Sequence, residues 1–430
     1  MQDLATRLNR RHDQRPNPPG DDRNAAQRDR DRVLYSSSFR RLAEVTQVVS
    51  ADSGYVFHNR LTHSLQVAQV GRRLAEKLNK LFPESREYIN PDVVEAACMA
   101  HDLGHPPFGH AAEKTLNSLT ESIGGFEGNA QSFRIIARLA SRSSNYPGLD
   151  LTRATLAATL KYPWLRGTNP KNRKKFGAYS TEREDFDFAS KLLPALNQPT
   201  IEARLMDWAD DITYSVHDLE DFFRAGRIPL HLLGRANSPE QQFFFENTFE
   251  RRFDDTNFED KADIKRAFTQ LLTVFPLTAS YNGSSTHRSA LRSFTGFLIG
   301  RYINAARIES KGTVSELVID RALQREVNIL KELTWTYVIE GPSLAARQHG
   351  QKKIIAELYV IYSKAALDSK SWAIFPMYYR EKLQSNHSDL AELQRVPVDL
   401  IASMTESQAV AMYHRLTGGH SDAGLQDILS

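Results

Sequence analysis

Three histidines and an aspartate lie within ten residues of this chain, in the segment His101-Asp102-Leu103-Gly104-His105-Pro106-Pro107-Phe108-Gly109-His110. Two glycines and two prolines interrupt the same segment, so it is poor material for a hydrophobic core. A buried His-Asp pair must be hydrogen-bonded or bound to a metal to offset the cost of leaving water. The segment therefore indicates a catalytic site.

Placed around one cation, His63, His101, Asp102 and Asp210 form a set of two imidazoles and two carboxylates. Such a set suits a divalent Mn, Mg, Fe, Co, Ni or Zn ion with positions open for water and a substrate oxygen. That arrangement favours phosphoester hydrolysis. His63 alone would be more typical of a core histidine, so its predicted role depends on the other three residues.

Two further histidines of the segment are candidates for proton transfer or substrate contact. Glu113 lies three residues after His110, which is about one helical turn, so its carboxylate can fix the imidazole tautomer and raise its basicity. His105 is expected either to contact the metal ligands or to face the substrate. The alternative is that His105 and His110 merely hold the Gly-Pro loop through hydrogen bonds.

Three helices must position these groups. Apolar spacing predicts a helix over 59–80 that carries His63, and an Asn90 cap with Pro91 predicts a second that ends at His101. A third is expected from 199–200 to 226. On it Asp210, Tyr214 and Asp218 share one face. The carboxylates on this helix, including those of Asp207 and Asp221, repel one another unless a cation or hydroxyl donors satisfy them, although a solvated face is the simpler alternative.

The composition indicates a globular protein of ordinary type. The chain has 430 residues, a formal net charge of +3 and a single cysteine, Cys98, in an apolar run that predicts core packing. One cysteine excludes an internal disulfide framework, and no apolar run approaches the length of a membrane span. We therefore expect a soluble, cytoplasmic protein without membrane contact.

Three regions are predicted along the chain. Residues 1–32 form a polar, arginine-rich arm, residues 33–226 a helical core, and residues 227–430 further helices that complete the pocket and supply oligomer contacts. The arm has eight arginines and five aspartates between residues 7 and 32 and too few apolar side chains to order itself. We expect it to be mobile or to order on a neighbouring subunit or a polyanion.

Several motifs resemble a known family. The order His63, His101-Asp102, Asp210 resembles the HD-domain superfamily of metal-dependent phosphohydrolases. More specifically, the chain resembles the dGTPase family of deoxynucleoside triphosphate triphosphohydrolases, densely over 29–220 and thinly over about 230–395. The motifs that carry this are Asp29-Arg30-Asp31-Arg32, Phe39-Arg40-Arg41-Leu42 through Thr46-Gln47, Gly125-Phe126-Glu127-Gly128-Asn129-Ala130-Gln131, Ala209-Asp210-Asp211-Ile212-Thr213-Tyr214, and Ala402-Ser403-Met404-Thr405-Glu406 through Tyr413.

The resemblance implies an all-α HD core with a C-terminal helical extension, a homo-oligomer, and hydrolysis of a dNTP, with dGTP favoured, to deoxynucleoside and tripolyphosphate. It also assigns roles to matching residues. The implied roles are metal ligands for His63, His101, Asp102 and Asp210, a catalytic dyad for His110 with Glu113, phosphate contacts for His105, Arg60 and Lys161, and deoxyribose contacts for Gln47, Tyr214 and Asp218.

The region around the sugar and the base is where the chain's own features matter. Crowding by Tyr214 or Val48 can select a sugar that lacks a 2′-hydroxyl. Some family members have a histidine where this chain has Gly128, so no imidazole is available there.

Two other functions remain open at the level of sequence. One is a different HD phosphohydrolase, acting on nucleoside monophosphates or cyclic nucleotides; guanosine tetraphosphate is disfavoured because Leu-Gly-His, not an acidic pair, follows His101-Asp102. The other is a nucleotide sensor or nucleic-acid-binding protein. Basic residues at Arg166, Lys171, Arg173, Lys174 and Lys175 are typical of a solvated loop but also suit single-stranded nucleic acid.

Overall fold

The computed structural model describes residues 6–13, 15, 18–48, 58–235, 237–252, 261–311, 314–339 and 342–419. Within them helices dominate and the strands are two short ones, which confirms the all-α prediction. The helices before residue 226 are α1 (Ala25–Leu34), α2 (Ser37–Arg41), α3 (Arg60–Leu81), α4 (Pro91–Ala100), α5 (His110–Leu119), α6 (Gly128–Arg134), α7 (Arg153–Ala158), α8 (Arg183–Ser190) and α9 (Ile201–Arg224).

The later helices are α10 (Leu230–Leu233), α11 (Pro239–Arg252), α12 (Lys261–Thr273), α13 (Ser285–Ile303), α14 (Arg321–Thr334), α15 (Pro342–Ala366), α16 (Met377–Ser385), α17 (Leu390–Ser403) and α18 (Glu406–Thr417). Short 3₁₀ turns lie at Leu42–Glu44, Pro83–Glu87, Glu121–Ile123, Ser180–Glu182 and Ser369–Ile374, and π-helical turns at Ile135–Leu139 and Trp335–Ile339. The strands β1 (Ala306–Lys311) and β2 (Val314–Ile319) pair antiparallel, with Ala306 opposite Ile319.

The three helices predicted to position the site are present. Helix α3 begins with an Asn59 capping box, α4 has the predicted Asn90 cap and Pro91, and α9 begins after a Thr200 cap. Each cap satisfies backbone N–H groups that the first turn leaves unpaired. No helix of the described residues is both long and apolar enough to cross a bilayer.

A first hydrophobic core lies between α3, α4 and α9 and extends through α11 to α14. Its centre is tightly packed, because a Cβ added at Gly71 of α3 would lie 2.5 Å from the Sγ atom of Cys98 in α4. Glycine at this position therefore lets the two helices approach closely. Cys98 is fully buried, as expected of a packing residue.

A second, smaller core lies between α15, α17 and α18, and helix α5 contributes to it. Ala112 and Leu116 of α5 are fully buried there, beside Leu358 and Ile401 from the C-terminal helices. The boundary between the cores therefore does not coincide with the predicted boundary at 226–227, since residues 228–338 join the first core and α15 to α18 build the second.

The described part of the N-terminal arm is ordered on its own chain, so the expectation that residues 1–32 cannot order themselves was wrong for it. Residues 25–34 form α1, and Arg10 Nη1 lies 2.6 Å from a fully buried Asp29 Oδ1. Arg7 pairs likewise with Glu202 of α9 at 2.6 Å. Composition did not predict this order because the charged side chains of the arm are satisfied in buried ion pairs. The arm therefore needs little apolar burial to become ordered.

Candidate active site

Four predicted metal ligands from three helices meet at one end of the first core. Ligand atoms of His63, His101 and Asp102 all lie within 4.8 Å of one another, and the three residues are buried. Asp210 of α9 joins them, with its Oδ1 atom 3.0 Å from His63 Nε2 and 3.6 Å from His101 Nε2. Helix α3 thus supplies one group, the end of α4 two, and α9 the fourth.

The orientation of His101 tests whether this cluster fits a metal. Its Nδ1–H donates to the Cys98 carbonyl at 2.6 Å, because a carbonyl can only accept. The lone pair of Nε2 then faces Asp102 and Asp210, and this buried atom has no hydrogen-bond partner. A backbone carbonyl that fixes the outer nitrogen is the usual support of a metal-binding imidazole. The residues therefore fit a divalent cation.

The charges of the cluster reinforce one another. Burial lowers the pKa of His101, but the carboxylates of Asp102 and Asp210 outweigh it and raise that pKa to about 9. Burial likewise opposes ionisation of both carboxyls, yet the neighbouring positive charges hold the pKa of Asp102 and of Asp210 well below their usual range. Without metal, a proton occupies His101 and competes with a cation.

Arg60 at the start of α3 and His105 in the loop after α4 also lie against Asp102. Arg60 Nη1 donates to Asp102 Oδ2 at 2.7 Å, which leaves Oδ1 toward His101 and His105. His105 Nδ1 lies 2.9 Å from that Oδ1 atom without hydrogen-bond alignment. Gly109 has a φ of 56°, which favours glycine, and a Cβ there would lie 3.3 Å from Arg60 Nη2. Glycine at this position therefore leaves room for the Arg60 guanidinium.

His110 and Glu113 form the predicted pair at the start of α5. His110 Nδ1 lies 2.9 Å from Glu113 Oε2, and the imidazole is 71% exposed, so its Nε2 side faces outward. Burial raises the pKa of Glu113, but the bond from His110 and the charges of His105 and Lys175 lower it below its usual range. An ionised Glu113 accepts the hydrogen bond from His110 Nδ1 and so fixes the orientation of the imidazole.

Lys175 and Glu127 complete this second group, and the sequence did not single them out. Lys175 Nζ lies 2.8 Å from Glu127 Oε1 and 3.4 Å from Glu113 Oε1. The Gly128 N–H donates to the same Glu113 oxygen at 3.3 Å. The basic residues between 166 and 175 therefore do not act as one group. Lys175 contacts the candidate site, whereas Lys171, Arg173 and Lys174 are exposed on the neighbouring loop.

The predicted substrate contacts lie around the metal cluster. Lys161 pairs with Asp207, one turn before Asp210 on α9, and the nearby carboxylates raise its pKa although burial opposes this. Tyr214 lies close enough to Asp218 and Asp210 for their charges to add to burial in raising its pKa. The structure thus brings Lys161 and Tyr214 into the electrostatic reach of Asp210, and Arg60 into that of Tyr214 and Asp102.

Two predicted sugar contacts carry buried oxygens without protein partners. These are Gln47 Oε1 and Asp218 Oδ2. Burial, together with the carboxylates of Asp221 and Asp210, raises the pKa of Asp218 well above its usual range. Buried polar atoms without partners are uncommon in folded proteins, so each of these oxygens is available to a ligand group.

A further contact missed in the sequence joins the two longest ligand-bearing helices. His58, just before α3, lies with its Nδ1 atom 2.6 Å from Asp221 Oδ2 of α9, and its ring stacks on His217 with centroids 5.1 Å apart. The His58 N–H also donates to Asp221 Oδ2, at 2.9 Å. The contact fixes the start of the helix that carries His63 against the one that carries Asp210.

Family models match two parts of the chain. The HD domain matches residues 60–215, which include all four candidate metal ligands and the His110–Glu113 pair. The phosphohydrolase-associated domain matches residues 317–415, which include α15 to α17 and most of α18.

Curated relatives match nearly the whole chain. A deoxyguanosinetriphosphate triphosphohydrolase-like protein of Streptomyces coelicolor is 38% identical over 92% of this chain and 93% of its own length. Proteins of the same description from Corynebacterium efficiens (36% identical, 91% of each chain) and Shewanella oneidensis (30%, 95% and 96%) are also similar. With the HD domain, these similarities support a hydrolase. The chain belongs to the HD-domain family of deoxyguanosinetriphosphate triphosphohydrolase-like proteins.

Proposed function

We propose that this protein is a metal-dependent dNTP triphosphohydrolase that converts a deoxynucleoside triphosphate and water into the deoxynucleoside and inorganic tripolyphosphate. The observation that carries the proposal is the juxtaposition of two groups across one loop: a buried two-histidine, two-carboxylate cluster, and the exposed His110 supported by Glu113. The names of the relatives favour dGTP as the substrate.

His63, His101, Asp102 and Asp210 would hold the cation. The chemistry that a divalent cation supplies when bound to such a set is polarisation of a phosphoryl oxygen and acidification of water. Mn, Mg, Fe, Co, Ni and Zn all suit two imidazoles with two carboxylates. The chain itself contributes orientation, because the Cys98 carbonyl and Arg60 fix His101 and Asp102.

His110 is suited to proton transfer at the leaving group. The reaction breaks the bond between the α-phosphorus and the 5′-oxygen, so the departing deoxynucleoside oxygen needs a proton. With Nδ1 held by Glu113, the imidazolium of His110 can donate that proton from Nε2. Glu113 and Lys175 keep the imidazole oriented, and Lys175 adds positive charge where the phosphate chain would lie.

The remaining groups bind the substrate. Arg60, His105 and Lys161 are suited to the phosphates, because guanidinium and ammonium groups and an imidazole N–H all donate hydrogen bonds to phosphate oxygens. The unpartnered oxygens of Gln47 and Asp218 are suited to the 3′-hydroxyl of the sugar, with Tyr214 beside them. Crowding by Tyr214 or Val48 would exclude a ribose 2′-hydroxyl.

A product assay tests the proposal. The purified protein is incubated with each of the four dNTPs and with GTP, in the presence of Mg, Mn or Co, and the products are resolved chromatographically. We expect tripolyphosphate and deoxynucleoside in equal amounts, with the largest rate for dGTP. Release of orthophosphate or pyrophosphate would instead assign a different HD phosphohydrolase activity, and the absence of any turnover would favour a nucleotide-sensing role.

A further inference from the structure

The active-site loop has a strained backbone just before His110. Phe108 has a φ of 68°, a left-handed conformation that a bulky side chain rarely adopts, and Gly109 follows with a φ of 56°. Such strain persists only where surrounding contacts hold it. Contacts from outside the loop must therefore hold Phe108 in this backbone conformation.

Those contacts come from the C-terminal region. The Phe108 side chain packs against the second core, and the Phe108 N–H donates to Glu406 Oε1 of α18 at 3.3 Å. The same Glu406 oxygen accepts the Thr46 N–H at 2.9 Å. Thr46 directly precedes Gln47, so one carboxylate oxygen joins the segment that carries a sugar contact to the loop that carries His110.

Arg41, six residues before Gln47, also joins the active-site loop to the C-terminal region. Its guanidinium donates to the carbonyls of Leu103 at 2.9 Å and His105 at 2.8 Å, and to the Met404 carbonyl at 3.0 Å. The residues 404–406 thus contact both active-site segments, although they lie about 190 positions beyond the end of the HD-domain match at 215.

We propose that Glu406 is a positioning residue of the active site, which sets the distance between the Gln47 segment and the His105–His110 loop. This inference rests on the proposed function for the roles of Gln47 and His110. Loss of the carboxylate releases two backbone N–H groups at once, and misplacement of catalytic groups by about 1 Å is enough to cost about 100-fold in rate.

The experiment compares Glu406→Ala, Glu406→Gln and a matched control, Glu392→Gln. Glu392 also joins the C-terminal region to the HD domain, through Arg134 Nη2 at 2.8 Å, but away from both active-site segments. The measurements are kcat and KM for dGTP and GTP, bound metal, and amide hydrogen exchange of peptides that cover 42–48 and 103–109.

For Glu406→Ala we expect full metal content, a kcat/KM for dGTP reduced about 10- to 100-fold, a smaller preference for dGTP over GTP, and faster exchange in both peptides. Glu406→Gln keeps an acceptor oxygen and should lie between Ala and the parent chain. Glu392→Gln should leave the dGTP preference and both peptides unchanged.

Unchanged exchange in either peptide of Glu406→Ala would overturn the proposal, and so would an effect shared equally by Glu392→Gln or spread over α3 and α4. If the parent chain hydrolyses no dNTP, the proposed function fails, whereas the exchange measurement still decides whether Glu406 holds the two segments together.

Discussion

The two halves of the candidate site rest on different parts of the molecule. The metal-ligand cluster sits on α3, α4 and α9, whose apolar faces build the first core. The His110–Glu113 pair sits on α5, whose apolar face packs into the second core with α15 to α18. The difference shows that the first cluster rests on helices of the HD-domain match, whereas the position of the His110–Glu113 pair depends on helices that begin more than 200 residues later in the chain.

The halves also differ in how their charges are satisfied. In the metal half, His101 Nε2 has no protein partner, and the predicted sugar contacts Gln47 and Asp218 have unpartnered oxygens. In the other half, Glu113 is bonded to His110 and to the Gly128 N–H, with Lys175 nearby. The first half therefore keeps buried polar atoms without protein partners, whereas Glu113 in the second half is already paired within the protein.

The largest expected effect is loss of a metal ligand. His101→Ala should remove bound metal and lower kcat by at least about 10⁵-fold, because the ligands act as a unit. Metal content by elemental analysis and turnover of dGTP check this together. Asp210→Ala should behave in the same way, and full metal occupancy in both variants would contradict the ligand assignment.

His110→Ala should separate the two halves. We expect it to keep the metal and to lower kcat by about 10²- to 10⁴-fold, the range for loss of a general acid. Metal content and kcat are measured on the same preparation, with Lys171→Ala as a control that lies in the basic loop. Loss of metal from His110→Ala would mean that the two groups are not functionally distinct.

A pair of leucines tests whether each half depends on its own core. Leu74 on α3 and Leu116 on α5 are both fully buried, the first in the first core and the second in the second. Each change to alanine should cost about 2–5 kcal/mol of unfolding free energy, measured by urea denaturation. Leu74→Ala should weaken metal binding, whereas Leu116→Ala should lower kcat with the metal retained. Equal effects on metal affinity would remove the distinction.

Much of the metal half could be predicted from sequence because its signals are local. Apolar spacing over 59–80, the Asn90 cap with Pro91, and the bounds at 199–200 and 226 placed three helices to within about two residues. Helical spacing then put Asp210, Tyr214 and Asp218 on one face. Whether these residues hold metal and substrate stays a prediction.

The contacts of the other half depend on long-range packing that spacing does not encode. Nothing near Lys175 or Glu406 in the sequence indicates that they reach Glu113 and Phe108. The ordered arm was missed for a related reason, because Arg10 and Asp29 pair only after the fold has brought Thr152 and Asp150 beside them. Periodicity predicts faces of helices, and these contacts lie between elements.

The smallest expected effects concern two buried carboxylates with opposite pKa shifts. The pKa of Asp218 is raised in the folded chain, so its carboxylate is destabilising once the pH exceeds its unfolded pKa of about 4. Asp218→Asn should therefore raise the unfolding free energy at pH 7 by about 1–2 kcal/mol, and this gain should shrink toward pH 4.

Glu113 is the opposite case, because its pKa is lowered in the folded chain. Its ionised form contributes stability above the unfolded pKa of about 4.3, and that stability is lost as the pH falls through the folded pKa. Glu113→Gln should thus lower the unfolding free energy at pH 7 by about 1–2 kcal/mol, with a smaller deficit at acidic pH. Urea denaturation of both variants from pH 4 to pH 8 measures the two trends. The contrast between the two halves requires Asp218 to lack the partners that Glu113 has. A change of the unfolding free energy in the same direction for both variants at pH 7 would therefore contradict it.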